Sequence, residues 1–227
     1  MLGSSILRMQ WRDGLFAHWP IAPELVSDRL PDRLSVRTYD GDAWLGIVPF
    51  EMAEIGVRGV PIGRSFPELN LRTYVEGPRG PGVYFFNLDA DDRLSVALAR
   101  RLFALPYYAA EMSMVRDGEM VTIASRRTHD GVPPARFRAE YRPTSEVYRA
   151  EPGSLAAFLV ENYRFYAAGN RLYYGEIDHE PWPLQDGEIE IRSNTLFEAE
   201  GFEEPAGEPI VHYSRSLDVT ADRLRVA

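Results

Sequence analysis

Apolar and polar residues alternate one for one along Arg136-Phe-Arg-Ala-Glu-Tyr-Arg142, so Phe137, Ala139 and Tyr141 share one face and the four charged residues share the other. A period of two belongs to an extended strand with one solvated face; wound into a helix, the same residues would scatter their apolar side chains around the circumference. The alternation recurs at residues 69–75, 171–179 and 188–192, while Val83-Tyr-Phe-Phe-Asn87 is apolar nearly throughout, as a strand covered on both faces is. Two Asp-Gly steps predict two-residue hairpin turns, because Asp-Gly tolerates the positive φ such turns require. Asp40-Gly41 would join strands at 34–39 and 43–48, and Asp117-Gly118 would join 112–116 to 119–125. Gly77-Pro-Arg-Gly-Pro-Gly82 reads as a six-residue hairpin loop.

A helical period is visible in two places. Asp89 is a candidate N-cap for a helix over about 89–105, with Asp91 and Asp92 in its first turn and Leu94, Leu98, Leu102 and Leu105 as its apolar stripe. Residues 154–168 carry Leu155, Phe158, Leu159, Asn162 and Tyr166 at helical spacing before Gly169. A short third helix is expected from Pro23 to the Leu30-Pro31 step. Many strands against two main helices specify an α+β, β-dominated fold, with an antiparallel or mixed sheet curled into a barrel or sandwich. No linker or repeat divides the chain, so one domain is expected over 1–227.

All 25 residues counted as lysine or arginine are arginine. Arginine stays protonated, so no side chain here forms an imine with a carbonyl substrate or serves as an amine base. Pyridoxal-phosphate and lysine Schiff-base chemistry are thereby excluded for the side chains. The absence of cysteine removes disulfides, thiolate nucleophiles and thiolate metal ligands. A formal net charge of −9 argues against nucleic acid as the partner. The longest apolar runs, Ala43 to Phe50 and Leu155 to Val160, fall far short of the ~20 residues of a membrane helix, and no secretory leader is evident; a cytoplasmic protein is expected.

No nucleophile elbow, phosphate loop or dinucleotide fingerprint is present. His18, His129, His179 and His212 are scattered, and Asp178 and His179 would point to opposite faces of a strand, so neither a metal nor a cofactor is expected. The polar face of the strand at 69–75 is the strongest candidate for a site. Asn70, Arg72 and Tyr74 project together, with Glu68 and Glu76 at the ends. An arginine buried there requires an anion, either a protein carboxylate (Glu68, Glu76 or Glu111) or an acidic ligand. Tyr107 and Tyr108 stand where the chain leaves the first helix and are candidate ligand-orienting or acid groups.

The segments Phe16-Ala-His-Trp-Pro20, residues 40–50, residues 66–75, Gly82-Val-Tyr-Phe-Phe86, Ala139-Glu-Tyr-Arg-Pro143, Glu151-Pro-Gly-Ser154 and Pro181-Trp-Pro-Leu184 occur in an order that resembles the family known as domain of unknown function 2071. That family is grouped by fold with acetoacetate decarboxylase, which implies a barrel-like domain with a central cavity. In the decarboxylase a Phe-Pro or Trp-Pro step precedes two lysines, one of them the Schiff-base residue. The similar segment here, Leu102-Phe-Ala-Leu-Pro-Tyr-Tyr-Ala109, has Tyr107 and Tyr108 in their place.

The resemblance therefore implies the fold and a pocket without the reaction. A small-molecule-binding protein or a non-Schiff-base enzyme follows, its ligand a small organic acid or carbonyl compound near Arg72, Tyr74, Tyr107 and Tyr108. The alternative is a structural or partner-interaction protein whose cavity is filled by side chains; the sequence carries no signal for oligomeric state. Incubation with acetoacetate and borohydride should leave every side chain unmodified, and an adduct mapped by mass spectrometry anywhere except the amine of Met1 would contradict this.

Overall fold

A computed structural model describes residues 6–57, 59–61, 63, 65–92, 96 and 105–227. Strands dominate. β1 (Leu7–Ile21), β3 (Ala43–Val57) and β5 (Phe66–Gly77) are long, and β2 (Ser35–Val36) and β4 (Val60–Pro61) are short appendages. β6 (Gly80–Ala90), β7 (Tyr107–Asp117), β8 (Met120–Arg127) and β9 (Arg136–Pro143) follow. The chain then forms β10 (Arg164–Ala168), β11 (Leu172–Asp178), β12 (Leu184–Asn194), β13 (Ile210–Ala221) and β14 (Arg225–Val226). The described helices are short: α1 (Pro23–Ser27), α2 (Leu155–Val160) and α3 (Leu196–Ala199). None is long and apolar enough to cross a membrane.

The strands close on themselves twice. Hydrogen bonding runs β6–β7–β8–β9–β12–β13–β1–β3–β5 and returns to β6, forming a barrel with no free edge along that path. A second, smaller circuit leaves β6 through the parallel neighbour β10, continues to β11, and rejoins β13 at Ile177↔Ala221 and Asp178↔Thr220. The two circuits share the wall β13–β1–β3–β5–β6. One face of that wall contributes Leu15, Ala17, Leu45, Ile47, Leu69 and Leu71 to the core of the larger barrel. The other contributes Met9, Phe16, Val48, Phe50, Phe66 and Tyr74 to a second core, which α2 and Trp182 cover. Double-sided burial explains why β3 and β5 are apolar over long stretches, whereas β9, solvated outside, keeps its strict alternation.

The turns follow their local chemistry. Asp40 and Gly41 both have positive φ, as expected, but the hairpin they close is a single bridge, Tyr39↔Asp42. Only Ser35–Val36 of the preceding segment is strand, and it pairs with β5 because β3 is already flanked by β1 and β5. In the β7–β8 hairpin Asp117 pairs with Met120, so the turn is Gly118-Glu119, one residue later than the Asp-Gly step suggested. The expected six-residue loop is tighter than read, since Gly77 pairs with Gly80 across Pro78-Arg79.

Both main helices need correction. Asp89 is not an N-cap; it lies within β6, and its buried carboxylate takes the Arg127 guanidinium at 3.0 Å. Of the helix expected at 89–105, Val96 is helical and donates its N–H to the Asp92 carbonyl, while 93–95 and 97–104 lie outside the described residues. The helix expected at 154–168 begins as read, with the Ser154 hydroxyl accepting from the Ala157 N–H, but it ends at Val160. Arg164–Ala168 is instead strand β10, bonded on one side to β11 and on the other to β6. Sheet pairing overrides a helical spacing that Asn162 and Tyr166 satisfied only by coincidence. Within that pair, Phe165 lies opposite Gly175, its ring covering the space a side chain there would need. Gly175→Ala should therefore force the Phe165 ring aside and cost about 1–3 kcal/mol in chemical denaturation. Unchanged stability would mean that the ring moves freely.

Candidate functional site

The shared wall places three residues in one row across its centre. His18 of β1 pairs with Gly46 of β3, and Gly46 pairs with Arg72 of β5. A Cβ on Gly46 would sit 2.7 Å from the His18 ring and 3.5 Å from the Arg72 Cγ, so the glycine makes room for two polar side chains on the side of the second core. His18 is fully buried, and its Nε2 lies 2.6 Å from the Tyr74 hydroxyl. That hydroxyl also lies 2.6 Å from the Leu159 carbonyl, which can only accept; Tyr74 therefore donates to Leu159, and His18 donates Nε2–H to Tyr74. Burial, the Arg72 charge and His212 together hold His18 well below its usual pKa, so the ring is neutral and Nδ1 is an unprotonated acceptor. Nδ1 has no hydrogen-bond partner among the described residues.

Arg72 is buried and donates through Nη2 to the Leu159 carbonyl at 3.0 Å and, more weakly, to the Tyr74 hydroxyl at 3.4 Å. Its guanidinium lies against Phe16, 5.3 Å from the ring centre. Among the described residues it has no carboxylate partner, and its Nε–H is buried without an acceptor. The ion pairs weighed from sequence do not form. Glu111 pairs with Arg126, Glu76 is exposed at the end of β5, and Glu68 is bonded elsewhere.

Arg72 opens onto a cavity of about 210 Å³ within the smaller circuit. Among the described residues its lining is largely apolar, with Glu68, Tyr107, Asn162, Arg164 and His179 as further polar side chains. Arg164 is committed to Glu176 at 2.7 Å. Asn162, Arg164 and Ile177 also border a shallower surface groove with Arg37, Glu161 and Tyr163. At the far end of the β5 row the Tyr107 hydroxyl donates to Glu68 Oε2 at 2.9 Å, and Asn70 donates to the same carboxyl. Burial outweighs both bonds and pushes the Glu68 pKa up to about 8, which keeps the acid protonated at neutral pH. Burial and the neighbouring Glu68 raise Tyr107 well above an ordinary phenol.

The structure thus gathers Glu68, Asn70, Arg72, Tyr74 and Tyr107 on one face of the wall. Glu76 and Tyr108 stand apart. Tyr108 is adjacent to Tyr107 in an extended strand and so points to the opposite face, where it borders a separate pocket with Tyr84 and Glu200 under the Arg127 guanidinium, 4.6 Å away. Sequence reading weighed His18 and His179 only as metal ligands and took Asn162 for part of a helix face, so none of the three was among the candidate site residues. A lone imidazole inside the apolar run Leu15-Phe-Ala-His-Trp19 was the available signal for the first, and the acidic neighbours of His179 pointed to a metal rather than to a pocket.

Unfolded, Glu68 titrates near 4.5, and folded near 8, so between these values the native chain holds a proton that the unfolded chain has released. Stability should fall as pH rises through that window, by a few kcal/mol at most from this group, and level off above it. Glu68→Gln should flatten the decline in urea midpoints measured from pH 5 to 8; parallel curves for the two proteins would show that Glu68 is ionised in the fold.

Residues 8–218 match a family described as an uncharacterised conserved protein, domain of unknown function 2071. The chain is 43% identical over 221 residues to the Bacillus subtilis (strain 168) protein named uncharacterized protein YqjF, covering 96% of this chain and 90% of that one. Among solved structures it superposes on the enduracididine biosynthesis enzyme MppR complexed with pyruvate, with a TM-score of 0.65 at 12% identity over 100% of this chain and 91% of that one. An acetoacetate decarboxylase-like enzyme from Sphingomonas wittichii RW1 gives 0.64 at 16% identity, over 100% and 96%. At such identities these two speak for the fold, while the match along the sequence speaks for kinship. The chain belongs to the domain of unknown function 2071 family and carries the acetoacetate decarboxylase-like fold.

Proposed function

We propose that the chain binds a small organic acid or carbonyl compound in the cavity of the smaller circuit, with Arg72 as the group that receives its oxygen atoms. The observation that carries this reading is a buried guanidinium with an unshared Nε–H and no counter-ion among the described residues, facing an apolar chamber. Burying an uncompensated charge is costly, and an anionic or strongly dipolar ligand offsets that cost. The backbone carbonyl of Leu159 and the Tyr74 hydroxyl hold the guanidinium in place, so little ordering is required on binding. That MppR, a protein of the same fold, is described in complex with pyruvate fits a ligand of this chemical class. A chamber of this volume also counts against the alternative of a cavity filled by side chains.

A second reading, as a non-Schiff-base enzyme, draws support from Glu68. A carboxyl held near pKa 8 is a better proton donor at neutral pH than a phenol raised well above its ordinary value, so Glu68 replaces tyrosine as the acid in that scheme. Arg72 would act as the electrostatic clamp.

A thermal-shift screen of small carboxylates and carbonyl compounds tests the shared premise. Hits on the wild type should lose roughly tenfold to a hundredfold in affinity in Arg72→Ala, the effect of one charge-assisted hydrogen bond, and a smaller factor in Tyr107→Phe. Hits that bind both variants as well as the wild type would put the site elsewhere. Failure of every acid and carbonyl to bind the wild type would overturn the reading.

A further inference from the structure

The walls around Arg72 specify more than charge. Met9, Met52, Ile55, Phe66, Phe85 and Leu88 line the chamber, and among the described residues the other acidic or basic side chains on its lining are Glu68, Arg164 and His179. Arg164 is held by Glu176, and Glu68 is protonated at neutral pH. A cavity of ~150 Å³ accommodates benzene, so about 210 Å³ takes a body of that size together with a polar head. Acetate or pyruvate would occupy a small part of it and leave apolar wall uncovered. Arg72 and Glu68, both on the lining, stand four residues apart on one strand, about 13 Å along β5.

Resting on the reading of the cavity as an acid-binding site, we infer that its ligand is an amphipathic carboxylic acid of about six to nine carbons, its carboxylate on Arg72 and its hydrocarbon body against the apolar wall. Selection then comes from the body as much as from the head. Each methylene moved from water into the chamber multiplies affinity by roughly fourfold, so hexanoate should exceed acetate by about a hundredfold once chain ordering is deducted. The gain should stop where the chain outgrows the volume.

Isothermal titration of the wild type with the straight-chain acids from acetate to dodecanoate, with phenylacetate and pyruvate, and with the neutral 1-hexanol tests this. Affinity should climb to a maximum between hexanoate and nonanoate and fall beyond it. Phenylacetate should bind at least tenfold tighter than pyruvate, and hexanol at least tenfold weaker than hexanoate. Ala90→Leu, which narrows the chamber, should move the maximum to shorter chains, and Met52→Ala, which widens it, to longer ones; the wild-type ladder stands alone if either variant fails to fold. Arg72-dependent binding with no chain-length trend, or with pyruvate ahead of phenylacetate, overturns this inference and leaves acid binding intact. Hexanol binding as tightly as hexanoate, or no acid binding at all, overturns both.

Discussion

The molecule is organised by one wall that must be buried on both sides. Strands β13, β1, β3, β5 and β6 belong to two closed circuits at once, so every side chain in their central rows enters one core or the other. Such strands have no solvated face on which to dispose of polar groups. A polar residue in the middle of this wall therefore either finds partners within the protein or stays unsatisfied at appreciable cost. His18 and Arg72 both occupy the central row, and they spend their bonding capacity unequally. Tyr74 and the Leu159 carbonyl take one nitrogen of each, leaving His18 Nδ1 and Arg72 Nε without partners among the described residues. Arg72 Nε is thereby an unsatisfied donor on a residue that lines the chamber, one of several buried polar atoms without a partner among the described residues.

The smaller circuit supplies the chamber, and α2 supplies the anchor. Because α2 stops at Val160, the Leu159 carbonyl is left free of the helical ladder and accepts from both Tyr74 and Arg72. Had the helix continued to residue 168, that carbonyl would have been engaged by its own backbone and the strand closing the chamber would not exist. The early end of α2 thus creates both the clamp on the guanidinium and the wall opposite it.

Much of the fold could be read from local pattern, and the reasons for the exceptions are specific. Alternation at 136–142 located β9 because one of its faces is wet, and the nearly continuous apolar run at 83–87 marked strand β6, although Tyr84, Phe85 and Phe86 are half-buried rather than covered on both faces. Asp89 looked like a helix cap because aspartate before further acids is one; it is a buried ion-pair partner of Arg127, which no neighbouring residue announces. Period-two logic placed Asn70, Arg72 and Tyr74 on one side of β5, and in the fold Tyr74 joins the second core and Arg72 the chamber, opposite Leu69 and Leu71. The same logic applied to Tyr107 and Tyr108 should have separated them, as the structure does. Glu68 stood out in sequence only as a neighbouring acid; its protonation depends on depth of burial, a property of the assembled wall.

The pairing of β1 with β13 has a further implication for how the chain reaches this state. β1 lies at the middle of the wall, bonded to β3 on one side and, from Leu7 to His18, to β13 on the other. During synthesis β3 emerges soon after β1, but β13 emerges only after every strand from β2 to β12 has been made. Throughout that interval one long edge of β1 stays open, with apolar side chains on both faces and unpaired backbone groups along its length. Such an edge invites pairing with any other extended segment at hand. The architecture that encloses the chamber so completely in the finished protein leaves the nascent chain dependent on late closure, and its yield in the cell should be governed by how long that edge is shielded.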